Sequence, residues 1–124
     1  MHTVTKEVVD AFGDVSGDRN PLHFDEAYAA STRFGHRIAH GTILMAYLSA
    51  LMASTLPGPG TIYVTQHIEF KAPVYIGDTI EVEVTVEEVK DNGFIRLANL
   101  IRARNQIVAS GYSVVLVDEM RKRS

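Results

Sequence analysis

Residues Thr42 to Leu56 make up the longest apolar segment of the chain, broken only by Ser49, Ser54 and Thr55. Wound into a helix, Thr42-Ile43-Leu44-Met45-Ala46-Tyr47-Leu48-Ser49-Ala50-Leu51-Met52-Ala53 places apolar side chains on nearly every side, so a buried helix is expected rather than an amphipathic one. It would be about 20 Å long at 1.5 Å per residue. Gly41 stands at its head, and Pro57-Gly58-Pro59-Gly60 stops it. At about 15 residues the segment is shorter than the roughly 20 needed to span a bilayer. A helix without a polar face has to be covered by the rest of the chain. That requirement decides the architecture.

Beyond the helix the chain is strand-like throughout. Thr61 to Lys71 is rich in β-branched and aromatic residues, and Pro73 with Gly77-Asp78 marks a break. Thr79 to Glu87 alternates strictly between apolar and polar, predicting one buried and one solvated face. Asn92-Gly93 reads as a two-residue hairpin turn. The returning strand runs from Phe94 to Arg104, Asn105-Gln106 turns the chain, and Ile107 to Val117 is the last strand. Four consecutive antiparallel strands curled around one long helix give an α+β fold. Such a sheet keeps open edges, which a homodimer could protect by pairing them.

The first third reads as short helices and loops. Thr5 is placed to cap a helix, with Val4 and Val9 as its hydrophobic staple. Gly13 to Gly17 is expected to loosen that helix into a loop, and Asn20-Pro21 to continue it, because a residue before proline is pushed out of the helical region. Asp25 to Ser31 predicts a short helix with acidic residues at its front.

Chain size and charge narrow the function. The 124 residues suit a single domain, 1–124, that is small enough to gain from an oligomer interface. A net charge of −3 gives no reason to expect nucleic acid as a partner. The one basic cluster, Arg121-Lys122-Arg123, reads as a solvated end. With no cysteine there is neither a disulfide framework nor a thiolate metal site. His2, His36 and His67 lack the carboxylate spacing of a zinc site, so no metal is expected. The chain is read as cytoplasmic and not membrane-bound.

Chemistry concentrates in Ser16-Gly17-Asp18-Arg19-Asn20-Pro21-Leu22-His23 and in His40-Gly41. A carboxylate and a neutral imidazole can hold a water between them, one accepting its proton while the other positions it. A turn cap at Asp18 and a surface histidine at His23 explain the same residues equally well. The backbone N–H of Gly41, unpaired at a helix start, could stabilise a carbonyl oxygen that gains charge. A glycine merely easing the chain into the helix is the plainer account. His40 could line the site or simply bond beside the helix start. The Ser49 hydroxyl, about two turns after Gly41, needs a partner, either Asp18 or a carbonyl of its own helix.

Together these residues resemble the (R)-specific enoyl-CoA hydratases of the MaoC-like dehydratase family. The hydratase signature is matched by Phe12, by Ser16-Gly17-Asp18-Arg19-Asn20-Pro21-Leu22-His23 and by Ala29. A His-Gly pair opening the central helix is matched by Ala39-His40-Gly41-Thr42, and an aromatic strand leading to Pro and Gly-Asp by Phe70 to Asp78. The resemblance implies a hot-dog fold and the hydration of trans-2-enoyl-CoA to (R)-3-hydroxyacyl-CoA, with no metal or redox cofactor. It implies Asp18 and His23 as the catalytic pair and Gly41 as the donor to the thioester carbonyl. It also implies Asn20 as a residue shaping the loop and Ser49 as the partner of Asp18. Phe34, Met45, Leu48 and Met52 are where the acyl group is expected. One departure is that the family usually has a strand ahead of the first helix, whereas this chain begins almost at that helix.

Within the same chemistry, a 3-hydroxyacyl-[acyl-carrier-protein] dehydratase is the alternative. A hot-dog thioesterase would need a carboxylate on or near the central helix, and Thr42 to Leu56 has none. A non-catalytic acyl-binding subunit would have no use for both proton-transfer residues.

Overall fold

The computed structural model describes residues 1–117, so the Arg121-Lys122-Arg123 cluster lies outside the described residues. In chain order the elements are β1 (His2–Thr3), α1 (Lys6–Ser16), α2 (Pro21–Phe24), α3 (Glu26–Ala30), α4 (Gly41–Ser54), β2 (Thr61–Phe70), β3 (Thr79–Val89), β4 (Phe94–Ala103) and β5 (Gln106–Val117). The five strands form one antiparallel sheet in the order β1-β3-β4-β5-β2. It curls around α4 in the hot-dog arrangement.

The core lies between the concave face of the sheet and α4. Ile43, Leu44, Leu48 and Met52 of the helix meet Ile80, Leu97, Ile101, Val108 and Val115 of the strands, all 2% exposed or less. Burial in β4 alternates accordingly, with Leu97, Asn99, Ile101 and Ala103 inward and Arg96, Ala98, Leu100 and Arg102 on the other face. The helix is not covered on every side, however. Thr42, Ala46, Ala50 and Ala53 form an exposed strip along it. Such residues add little area when buried, so the lack of charge in the sequence overstated how much of this helix needs cover.

Four local expectations are corrected. Helix α1 does not loosen at Gly13 but runs to Ser16, ending on Gly17 at φ +76° with its N–H on the Gly13 carbonyl at 2.9 Å. Gly13 is needed because a Cβ there would run into the Phe24 ring. Pro21 opens α2 instead of extending a loop. Asn20 keeps the extended backbone that a pre-proline residue prefers, and Pro21 takes the first helical position, where its missing N–H costs nothing. Asn92-Gly93 belongs to a three-residue loop, Asp91-Asn92-Gly93, closed by the Lys90 N–H on Phe94 O at 2.9 Å, with Gly93 at φ +91°. The two-residue turn is Arg104-Asn105, both at positive φ, between the paired Ala103 and Gln106.

The expected missing N-terminal strand is also corrected. His2 and Thr3 pair with Ile80 and Thr79, covering a short length of the β3 edge. At the other edge, among the described residues, β2 pairs only with β5. Thr5 caps α1 through its side chain at 3.2 Å from Val8 N, and Val4 and Val9 are fully buried as the staple requires.

Candidate active site

The signature loop is shaped by its own side chains. Ser16 Oγ accepts the Asp18 N–H at 3.0 Å, Asp18 Oδ1 accepts the Asn20 N–H at 3.3 Å, and Asn20 Oδ1 accepts the Leu22 N–H at 3.0 Å. Asp18 therefore does cap a turn, as its plainer account supposed. The same turn leaves its exposed carboxylate on the wall of a cavity of about 440 Å³. Asn20, as the cap of α2, sets where His23 emerges.

His23 is held from two sides. Its Nδ1–H donates to the Ile38 carbonyl at 2.7 Å, and its own carbonyl accepts from Arg37 Nε at 2.7 Å. With Nδ1 occupied, the lone pair is on Nε2. Burial pushes the imidazole below its ordinary pKa and outweighs the opposing backbone hydrogen bond at Ile38. The ring is therefore neutral around pH 7, a base with its open nitrogen defined.

Gly41 enters from another element. It is the first residue of α4, whose cap, His40, makes no side-chain bond to the helix N–H groups. The preceding segment is pinned by Ala39 N–H on Val74 O at 2.7 Å and by the Ile38–Tyr75 bridge. Gly41 thus lines the cavity at a fixed helix end, where its N–H has no partner within the helix. His40 is 1% exposed, stacks on His23 with centroids 4.0 Å apart, and lies with Nε2 3.0 Å from the Asp18 main-chain oxygen.

Potential ligand atoms of Asp18, His23 and His40 come within 4.8 Å of one another, so a metal reading has to be considered. Imidazole lone pairs lie in the ring plane, and these two rings are stacked only 29° from parallel. Their lone pairs cannot meet on one ion at about 2.0–2.1 Å. The arrangement fits proton transfer better than a metal cage.

The structure brings Asp18, His23, His40, Gly41 and Phe34 together on the cavity, with Asn20 just behind it. It does not bring Ser49 to Asp18. Ser49 lies about 12 Å along the helix axis from Gly41, and among the described residues no hydrogen bond joins it to Asp18, whose Oδ1 accepts the Asn20 N–H. Nor do Met45, Leu48 and Met52 line the cavity: Leu48 and Met52 are core side chains under the sheet. Ile38 joins the site without having been expected there, because its contribution is a main-chain carbonyl and leaves no side-chain signal. Phe70, Val74, Arg33 and Lys71 on the cavity wall were not expected either. Arg33-Phe34 and Phe70-Lys71, each a cation beside an aromatic residue in or next to a loop, were the available clue.

Comparison with known proteins places the chain in a family. Residues 1–108 match the MaoC like domain. A 3-hydroxybutyryl-CoA dehydratase of Methylorubrum extorquens is 41% identical over 115 residues, 92% of this chain and 73% of that one. An (R)-specific enoyl-CoA hydratase of Rhodospirillum rubrum is 40% identical over 116 residues, 93% of this chain and 81% of that one. The solved (R)-hydratase of Aeromonas caviae superposes with a TM-score of 0.91 at 36% identity, covering 94% of this chain and 90% of that one.

Proposed function

The chain belongs to the MaoC-like domain family, and from that premise we propose that it is an (R)-specific enoyl-CoA hydratase, adding water reversibly and syn to trans-2-enoyl-CoA. The observation that carries the reading is the placement of His23 Nε2, open and neutral, with the Asp18 carboxylate and the Gly41 N–H on one cavity.

The thioester carbonyl accepts the Gly41 N–H, which draws electrons from the double bond and makes the β-carbon electrophilic. Water lies between Asp18 and His23 Nε2. As its oxygen bonds to the β-carbon, the pair takes one of its protons and the negative charge moves onto the carbonyl oxygen at Gly41. One proton returns from the same face to the α-carbon, so H and OH add syn. Asn20 keeps the loop in shape, and Phe34 covers the cavity. The reaction as proposed calls on no metal and no redox cofactor.

A homodimer is part of the proposal. The free edge of β2, with Ile62 and Val64 nearly half exposed, and the small-residue strip of α4 support it. A cytoplasmic location is proposed as well: the chain has no cysteine, and no helix among the described residues is long and apolar enough to cross a membrane.

The test is incubation with crotonyl-CoA, following loss of the conjugated thioester and resolving the product by chirality. Formation of (R)-3-hydroxybutyryl-CoA supports the reading, and release of free CoA without hydration contradicts it. A parallel arm with the crotonyl thioester of acyl-carrier protein tests the dehydratase alternative through the ratio of the two kcat/KM values.

A further inference from the structure

We propose that His40 is a positioning residue: an imidazole that fixes the distance between the water-holding loop and the carbonyl-binding helix start. The proposal rests on the hydratase reading, because it names what holds the two halves of that site together.

His40 Nε2 lies 3.0 Å from the main-chain oxygen of Asp18. A carbonyl only accepts, so Nε2 carries the hydrogen. Nδ1 is then the bare nitrogen, and it is fully buried with no hydrogen-bond partner among the described residues. Around the ring are the His23 imidazole at 4.0 Å, Phe12 at 4.9 Å and Phe24 at 5.5 Å between centroids. Asp18 and His23 are the titratable groups facing it, and Arg37 is the cation that acts on His23 from behind.

This environment rules on what His40 can do. It cannot relay a proton, since Nε2–H is held by a main-chain oxygen and Nδ1 has no group to exchange with among the described residues. What it does have is two fixed attachments. It is peptide-bonded to Gly41 and hydrogen-bonded to Asp18, 22 residues away in sequence, while its face supports His23. One side chain thus ties the donor for the carbonyl to both groups that handle water. A misplacement of about 1 Å between such groups can cost ~10²-fold in rate.

The test compares the native chain with His40→Phe and His40→Gln in crotonyl-CoA hydration. Phe keeps a flat ring in the stack but loses the donor, while Gln offers an amide N–H at about the reach of Nε2. For His40→Phe the expected result is kcat lower by ~10²-fold with KM little changed, and a Tm no lower than native because the unpaired nitrogen is gone. His40→Gln is expected to recover most of kcat and to keep both limbs of the pH–rate profile.

Native kcat in His40→Phe would overturn the proposal. So would a His40→Gln variant that stays as slow as His40→Phe or loses one limb of the profile, since His40 would then be exchanging protons itself. Two-bond ¹H–¹⁵N spectra of the native protein give a readout independent of turnover. His40 is expected to carry its hydrogen on Nε2, and a ring that carries it on Nδ1 would overturn the proposal. Failure of the hydratase reading shows in the native rate, and failure of this one in the His40 resonances and variant-to-native ratios.

Discussion

His23 gives its Nδ1–H to the main-chain oxygen of Ile38 at 2.7 Å, and this bond decides which nitrogen is left for chemistry. Ile38 is held in turn by its bridge to Tyr75, in the segment between β2 and β3 that closes the cavity. The base is thus oriented by backbone, which side-chain substitution cannot easily remove.

The first prediction concerns pH. Burial depresses the His23 pKa in the folded protein, so its neutral, reactive form persists to lower pH than in an ordinary histidine. The acid limb of kcat/KM is expected to have its midpoint below about 6.5, measured with crotonyl-CoA across a pH series. The same depression means that the unfolded state binds the proton more readily. Its contribution to folding stability is full above about pH 6.5 and is lost as pH falls toward the folded value. A midpoint above 6.5 would contradict the burial argument.

At Gly41 a methyl group would lie 3.0, 3.1 and 3.2 Å from three atoms of the Phe70 ring. Phe70 is 51% exposed and has room to turn aside, so Gly41→Ala is expected to fold with stability within about 1 kcal/mol of native. The displaced ring and the methyl both crowd the point where a thioester carbonyl would bond, and kcat/KM is expected to fall by ~10-fold or more. Thermal unfolding and steady-state kinetics on one preparation separate the two effects.

Gly111 behaves differently. A Cβ there would strike the His67 carbonyl oxygen and lie 2.7 Å from the carbonyl carbon and 2.9 Å from Ile68 Cα, all main-chain atoms of β2. Backbone in mid-sheet cannot step aside as an exposed ring can. Gly111→Ala is expected to lose at least ~2 kcal/mol of stability, read as a lowered midpoint in urea. An unchanged midpoint would mean that β2 and β5 do not approach so closely here.

Gly111 also shows where sequence reading stopped. The helix start at Gly41, its stop at Pro57, the cap at Thr5 and the alternating strands were all legible, because each is written in local residues. That β2 crosses to pair with β5 was not, because the pairing joins residues 39 to 56 apart in the chain, from Phe70 with Ala109 to Thr61 with Val117. Only a missing side chain at Gly111 hints at it. The loop was legible as chemistry in Asp18 and His23, but α2 was hidden by Pro21, which equally suits a loop or a helix start. Spacing put Ser49 about two turns from Gly41 and favoured a carbonyl of its own helix as its partner, and it was the family resemblance that pointed it to Asp18. The Ile38 carbonyl could not be found at all, since any residue supplies one.

The account turns on Asp18 and His23 acting as one water-activating pair opposite Gly41. Hydration of crotonyl-CoA by the native chain, Asp18→Asn and His23→Gln tests it most directly, with circular dichroism verifying that each variant is folded. Both substitutions are close to isosteric and each removes a group able to exchange a proton. The account predicts that each lowers kcat/KM by about 10²-fold or more while the fold is retained. Folded variants that hydrate crotonyl-CoA at the native rate would contradict it.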